Sequence, residues 1–191
     1  MEQAAVPEAE LIETEAGRKP DGPGWFVVNV GDSVAAGPDE SHYAFMFEGT
    51  PLQGADTDFA HFGINVRVLA PAVPASMYHR ESGQEAFLVL SGECSLIIED
   101  QVRSLKQWDF VHCPPHTAHA LVGAGTTPSV VLMVGARNAG TDLTFPASTV
   151  AARYGASVST PTTDRAEAYA GWPRPHPQRF PWPPPSEPAI D

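Results

Sequence analysis

The sequence predicts an all-β protein, a sandwich or closed barrel of short antiparallel strands. Three observations carry this. Short runs rich in Val, Ile, Leu and aromatic residues follow one another from Trp25 to Gly135. Gly, Pro, Asn and Asp separate them as turn signals. A tight reversal at Glu99-Asp100 sits between CSLII and QVRSL, so these two runs pair as a hairpin.

Taken in order, residues 1–22 are acidic (Glu2, Glu8, Glu10, Glu13, Glu15) with little to bury. They read as a disordered tail, with at most a transient helix near Ala9–Ala16. From Trp25 the β-type runs are WFVVNV (25–30), HYAFMF (42–47), FGINVRVLA (62–70), AFLVLSG (86–92), CSLIIED (94–100), QVRSLK (101–106), DFVHC (109–113), HALVG (119–123) and SVVLMVG (129–135). In the run at 62–70, Ile64, Val66 and Val68 share one face, and Asn65, Arg67 and Leu69 the other. In the run at 42–47, Tyr43, Phe45 and Phe47 alternate with Ala44 and Met46. Both faces are apolar, so this arm is expected to lie against another sheet, and a homodimer built around it is the expectation. The alternative is that the C-terminal aromatics cover it.

After Asp142 the β pattern fades. Ala147–Tyr154 reads as two helical turns, capped by Ser148 or the residues before it and stopped by Gly155. Residues 172–191 contain eight prolines and read as an extended tail. Trp172, Phe180 and Trp182 are costly to leave in water, so this tail is expected to wrap the domain. The organisation is therefore an acidic tail (1–22), a β-barrel (23–146) and a C-terminal extension with a short helix and a Pro-rich tail (147–191).

The 191 residues carry 23 acidic and 11 basic side chains, a formal charge of −12. Nothing resembles the basic stripe that nucleic acid requires, so no nucleic-acid partner is expected. No apolar run approaches the roughly 20 residues that span a bilayer, so no membrane partner is expected either. The N-terminus lacks the apolar segment of a secretory signal. Cys94 and Cys113 make no disulfide framework, and a cytoplasmic location fits best.

The chemistry concentrates in two segments, Met77–Glu93 and Trp108–Ala120. The first places His79, Glu81 and Glu85 ahead of an apolar strand ending near Gly92. The second carries Pro114-Pro115 and then His119. Imidazoles and carboxylates at strand ends are the ligand set of a divalent metal site. His79 and Glu81 are two residues apart and share a face of an extended segment. The plain alternative is turn polarity that matches the spacing by chance.

These segments resemble the two motifs of the cupin superfamily. Its first motif runs Gly, five residues, His-any-His, three or four residues, Glu, six residues, Gly. Here His79, Glu81, Glu85 and Gly92 fit that frame, with Glu81 at the second His. Its second motif runs Gly, five residues, Pro-any-Gly, two residues, His. Here Trp108, Pro114, His116 and His119 fit, with Trp108 and His116 at the two glycines. Gly123 stands where an Asn often follows.

The resemblance implies a jelly-roll barrel like those of small stand-alone bacterial cupins. It also implies one divalent ion (Zn, Fe, Mn or Ni) held by His79, Glu85 and His119. Glu81 is a fourth ligand, a general base or a solvated turn residue. His116 is a turn residue with positive φ or an extra imidazole beside the site; Arg67 lines the pocket and holds a substrate carboxylate, or faces solvent. The implied function is a metal-dependent enzyme acting on a small molecule, of dioxygenase or isomerase/lyase type. The alternative is a non-catalytic module that binds a metal or ligand.

Overall fold

A computed structural model describes residues 5–48, 59–137 and 142–185. Its strands are β1 (Glu10–Thr14), β2 (Gly17–Asp21), β3 (Val34–Asp39), β4 (His42–Met46), β5 (Phe62–Leu69), β6 (Glu85–Ser91), β7 (Glu93–Ile98), β8 (Gln101–Lys106), β9 (Phe110–Cys113), β10 (His119–Ala124), β11 (Ser129–Ala136) and β12 (His176–Pro177). Two short helices, α1 (Thr149–Ala152) and α2 (Arg165–Ala168), precede β12. A seven-stranded sheet runs β12-β3-β4-β5-β11-β6-β9, and a three-stranded sheet runs β10-β7-β8. Every pairing between these strands is antiparallel, and the two sheets form the jelly roll.

Alternation decides what lies between the sheets. Leu69 from β5, Phe87 and Val89 from β6, Leu96 from β7, Val111 from β9, Leu121 from β10 and Val131 from β11 meet in one buried cluster. Burial of each such side chain is worth about 1.5–3 kcal/mol. The β7–β8 reversal is the one read from sequence. Ile98 pairs with Gln101, and Glu99 and Asp100 take φ of 47° and 56°, as a two-residue turn with both φ positive requires. Gly123 is needed for a close approach: a Cβ there would lie 2.1 Å from the Ala70 carbonyl oxygen.

The N-terminal expectation needs correction. Residues 10–21, read as disordered or transiently helical, form the β1–β2 hairpin. Glu13 and Arg18 face each other across it and pair at 3.1 Å. The hairpin docks by main chain: Ala35 N–H donates to the Ala16 carbonyl at 3.0 Å, and Ala16 is buried. Main-chain docking leaves no hydrophobic pattern to read. Conversely, WFVVNV does not form a strand. Trp25 makes an isolated bridge to Glu8, Val30–Asp32 is a 3-10 turn, and Val27 is 78% exposed.

The arm at 42–47 is β4, inside the seven-stranded sheet between β3 and β5. Its outer face is covered by its own chain. Phe180 stacks on Tyr43 at 4.3 Å, Trp182 meets Phe45 edge-on at 5.3 Å, and Tyr43 Oη donates to the Pro181 carbonyl at 3.2 Å. The Pro-rich tail therefore supplies the cover, and the arm offers no argument for a second subunit. Helix α1 begins as read: Ser148 caps it by accepting from Ala151 N–H at 3.0 Å, and Gly155 follows with φ 68°.

Candidate metal centre

His79 and His119 are brought together by backbone before any side chain acts. Each N–H donates to the other's carbonyl, at 3.1 and 2.8 Å, across an antiparallel bridge. Directly opposed residues project to one face, and the two rings lie 4.8 Å apart. Glu85 opens β6, paired with Cys113 on one side and Gly135 on the other. Its Oε2 lies 3.0 Å from His119 Nε2 and 4.0 Å from His79 Nε2. One donor atom from each of the three side chains falls within 4.8 Å of the other two, the single such group among the described residues.

The orientation of both rings is fixed from behind. His79 Nδ1 lies 2.8 Å from the Met77 carbonyl, and His119 Nδ1 lies 3.0 Å from that of Thr117. A carbonyl only accepts, so both Nδ1 atoms carry protons and both Nε2 atoms face Glu85. Metal-binding histidines are held in this manner.

The charges are coupled. Burial pushes the His119 imidazole down, but the hydrogen bond and charge of Glu85 more than offset this and hold it above the usual range. Burial raises Glu85, but the hydrogen bond and charge of His119 hold it below the usual carboxylate range. His79 is pushed down, by burial first and then by the charge of His119. The donor set fits a divalent ion: two imidazole Nε2 atoms and a carboxylate oxygen converge, and both Nδ1 atoms are already committed to backbone carbonyls.

The other predicted residues divide. Glu81 is half-buried and falls outside the three-residue group. Its carboxyl is pushed up by burial and by the charge of Glu85, and it also senses His119. His116 is exposed with φ 67°; its backbone N–H donates to the Glu81 carbonyl at 2.7 Å. It thus takes the turn conformation expected of it. Trp108, at the other glycine position, also has positive φ, 74°. Arg67 is turned inward: its Nη1 lies 2.7 Å from His42 Nε2 and donates to the Ala75 carbonyl at 3.1 Å. Cys94 and Cys113 are buried, and burial pushes both thiols up to about 12.

Sequence reasoning missed the surroundings of the centre. Phe145 lies 6.1 Å from His79, ring to ring, and Tyr169 meets Phe145 edge-on at 5.7 Å. Trp172 meets Tyr169 at 5.1 Å and His42 at 6.5 Å. Tyr169 and Trp172 come from the C-terminal extension and Phe145 from just before it, where no spacing marks them as neighbours of the centre.

Fold and site together define a jelly-roll barrel with a His/Glu/His donor set at one end. Residues 65–135 match the family model described as Cupin domain. Among solved structures it is similar to a putative sugar phosphate isomerase from Acidithiobacillus ferrooxidans (31% identity over 45% of this chain and 56% of that one, TM-score 0.43). It is also similar to a sugar phosphate isomerase from a cupin superfamily from Silicibacter pomeroyi (19% identity, 56% and 66% covered, TM-score 0.46). A third is a variant of salicylate 1,2-dioxygenase from Pseudoaminobacter salicylatoxidans, in complex with gentisate (17% identity, 50% and 25% covered, TM-score 0.42). The chain spans 56% and 66% of the lengths of the two isomerase structures. No curated protein matches it. No helix among the described residues is long and apolar enough to cross a membrane.

Proposed function

We propose that this chain is a metal-dependent cupin in which His79, Glu85 and His119 hold one divalent ion and a small molecule reacts beside it. One observation carries the reading: both Nδ1 atoms are bonded to backbone carbonyls while both Nε2 atoms and Glu85 Oε2 converge. Two imidazoles and one carboxylate suit non-haem Fe(II), and Zn, Mn or Ni are compatible with the same donors. A bound ion supplies Lewis acidity there. The residues do the rest. On binding an ion His119 would give up its proton and Glu85 would stay ionised, with the Phe145 ring beside His79 and Tyr169 behind it. Glu81, whose carboxyl burial and the charge of Glu85 push up, is the residue we assign to accept or deliver a proton. Dioxygenase or isomerase/lyase chemistry is the finer reading, in a reducing cytoplasm consistent with two unpaired thiols.

Protein purified without chelator should contain about one divalent ion per chain by elemental analysis. His119→Ala should lose most of it, and full occupancy in that variant ends the assignment. Glu81→Gln should keep the ion and lose turnover if Glu81 is the base. Weakened metal affinity instead makes it a ligand, and no change in either makes it a solvated turn residue. A metal-loaded chain that binds small molecules yet converts none is the alternative, a non-catalytic metal- or ligand-binding module.

A further inference from the structure

Strand β5 places Asn65, Arg67 and Leu69 on one face, and Leu69 belongs to the cluster between the sheets. That face is barrel interior. Arg67 is half-buried there with its Nε fully buried, which is uncommon for a cation without an acidic partner. Among the described residues no carboxylate comes within ion-pair distance of it. His42, its 2.7 Å neighbour, does not offset the charge. Burial, and then the charge of Arg67, push that imidazole down to about 3, so it is neutral and its Nε2 accepts. Arg67 Nε is buried with no hydrogen-bond partner, and so is Asn65 Oδ1.

These two unpartnered groups lie on the way to the metal centre. Glu85 pairs with Gly135, and Gly135 pairs with Gly63. Asn65 therefore lies between Arg67 and the Glu85 row. Ala75, whose carbonyl Arg67 holds, is four residues before His79, so the chain between them spans at most ~14 Å. The wall there is aromatic: Tyr169 Oη accepts from Met77 N–H at 3.1 Å, and Trp172 leans on His42.

We propose that Arg67 anchors the carboxylate of a small organic acid whose body lies along the Tyr169–Trp172 wall toward the metal centre. A hydrogen-bond donor on the same molecule would satisfy Asn65 Oδ1. The proposal rests on the reading of that centre as the place of reaction. A carboxylate suits the guanidinium fork and its single charge. A phosphate dianion carries a second charge that the single guanidinium of Arg67 does not balance.

The test uses mandelate, its neutral amide mandelamide, and phenyl phosphate, titrated calorimetrically into the full chain with and without prior chelation. Chelated wild type should bind mandelate at least about tenfold more tightly than mandelamide, and Arg67→Gln should bind the two alike. A preference seen only with metal present, and kept by metal-loaded Arg67→Gln, gives the carboxylate to the ion and overturns the proposal while the metal reading stands. A preference that depends on Arg67 in a chain that takes up no metal supports the proposal and removes the metal reading. Tighter binding of phenyl phosphate, or no mandelate binding at millimolar concentration, overturns it. Should Arg67→Gln fail to fold, the wild-type Arg67 Nε–H resonance decides. It should shift with mandelate and not with mandelamide, and equal response to both refutes the anchor.

Discussion

Lowering the pH should unfold this protein through His42 before its carboxylates titrate. The folded imidazole sits at about 3 against an ordinary 6.5, chiefly because it is buried and secondarily because Arg67 is beside it. Between those values the unfolded chain binds a proton that the folded chain refuses. Stability therefore falls as pH falls from about 6.5 toward about 3, with a slope approaching 1.4 kcal/mol per unit, roughly 2 kcal/mol lost by about pH 5. Two other groups titrate as well, His119 with the opposite sign and Glu85 with the same sign. His119, held up by Glu85, contributes stability at acid pH that is lost as pH rises through its raised value. Glu85, held down, contributes stability that is lost only as pH falls through its lowered value. Both are present in a His42→Gln variant, so they cancel in a comparison. Urea unfolding at about pH 7 and about pH 5 should show wild type losing about 2 kcal/mol more than His42→Gln. Parallel losses in the two proteins would refute a buried neutral His42.

Three further outcomes follow from packing. Phe180→Ala removes the ring stacked on Tyr43 and should cost about 3 kcal/mol by urea unfolding; a loss below about 1 kcal/mol would mean the tail does not carry the cover. Trp108→Gly relieves a non-glycine residue at φ 74° that is 65% exposed, and should gain about 1 kcal/mol, read as a raised Tm; a lowered Tm would show that the indole packs on something. A homodimer, if formed, has Trp108 and Phe110 to draw on, 65% and 66% exposed beside the edge strand β9. Light scattering should give twice the monomer mass for wild type and the monomer mass for Phe110→Lys, and a monomer in both ends the dimer reading.

The parts of this fold that were legible in the sequence are those with strong alternation or strict turn chemistry. Strands β5 to β11 fall on their apolar runs, and the Glu99-Asp100 reversal falls between them. His79, Glu85 and His119 were legible because the three keep the motif's spacing even where its glycines are replaced. What was hidden lacks a side-chain signature. β3 is VAAGPD, with nothing β-branched after Val34, and it exists because β4 and β12 pair with it. The β1–β2 hairpin is held through the Ala16 carbonyl, an atom every residue has. Arg67 was legible as a candidate, but its burial depends on His42, twenty-five positions away, and on rings from the C-terminal extension.

The contact between Tyr43 and Pro181 joins residues 138 positions apart. On a ribosome, β3, β4 and β5 emerge long before the prolines that shelter them. Until Phe180 and Trp182 are made, Tyr43 and Phe45 face water on the outside of a sheet that is otherwise assembled. That interval is a window in which a nascent chain can stick to another, since exposed apolar surface drives such association. Changes to synthesis near residues 175–182 should therefore alter how much soluble protein is recovered more than they alter the stability of what has already folded.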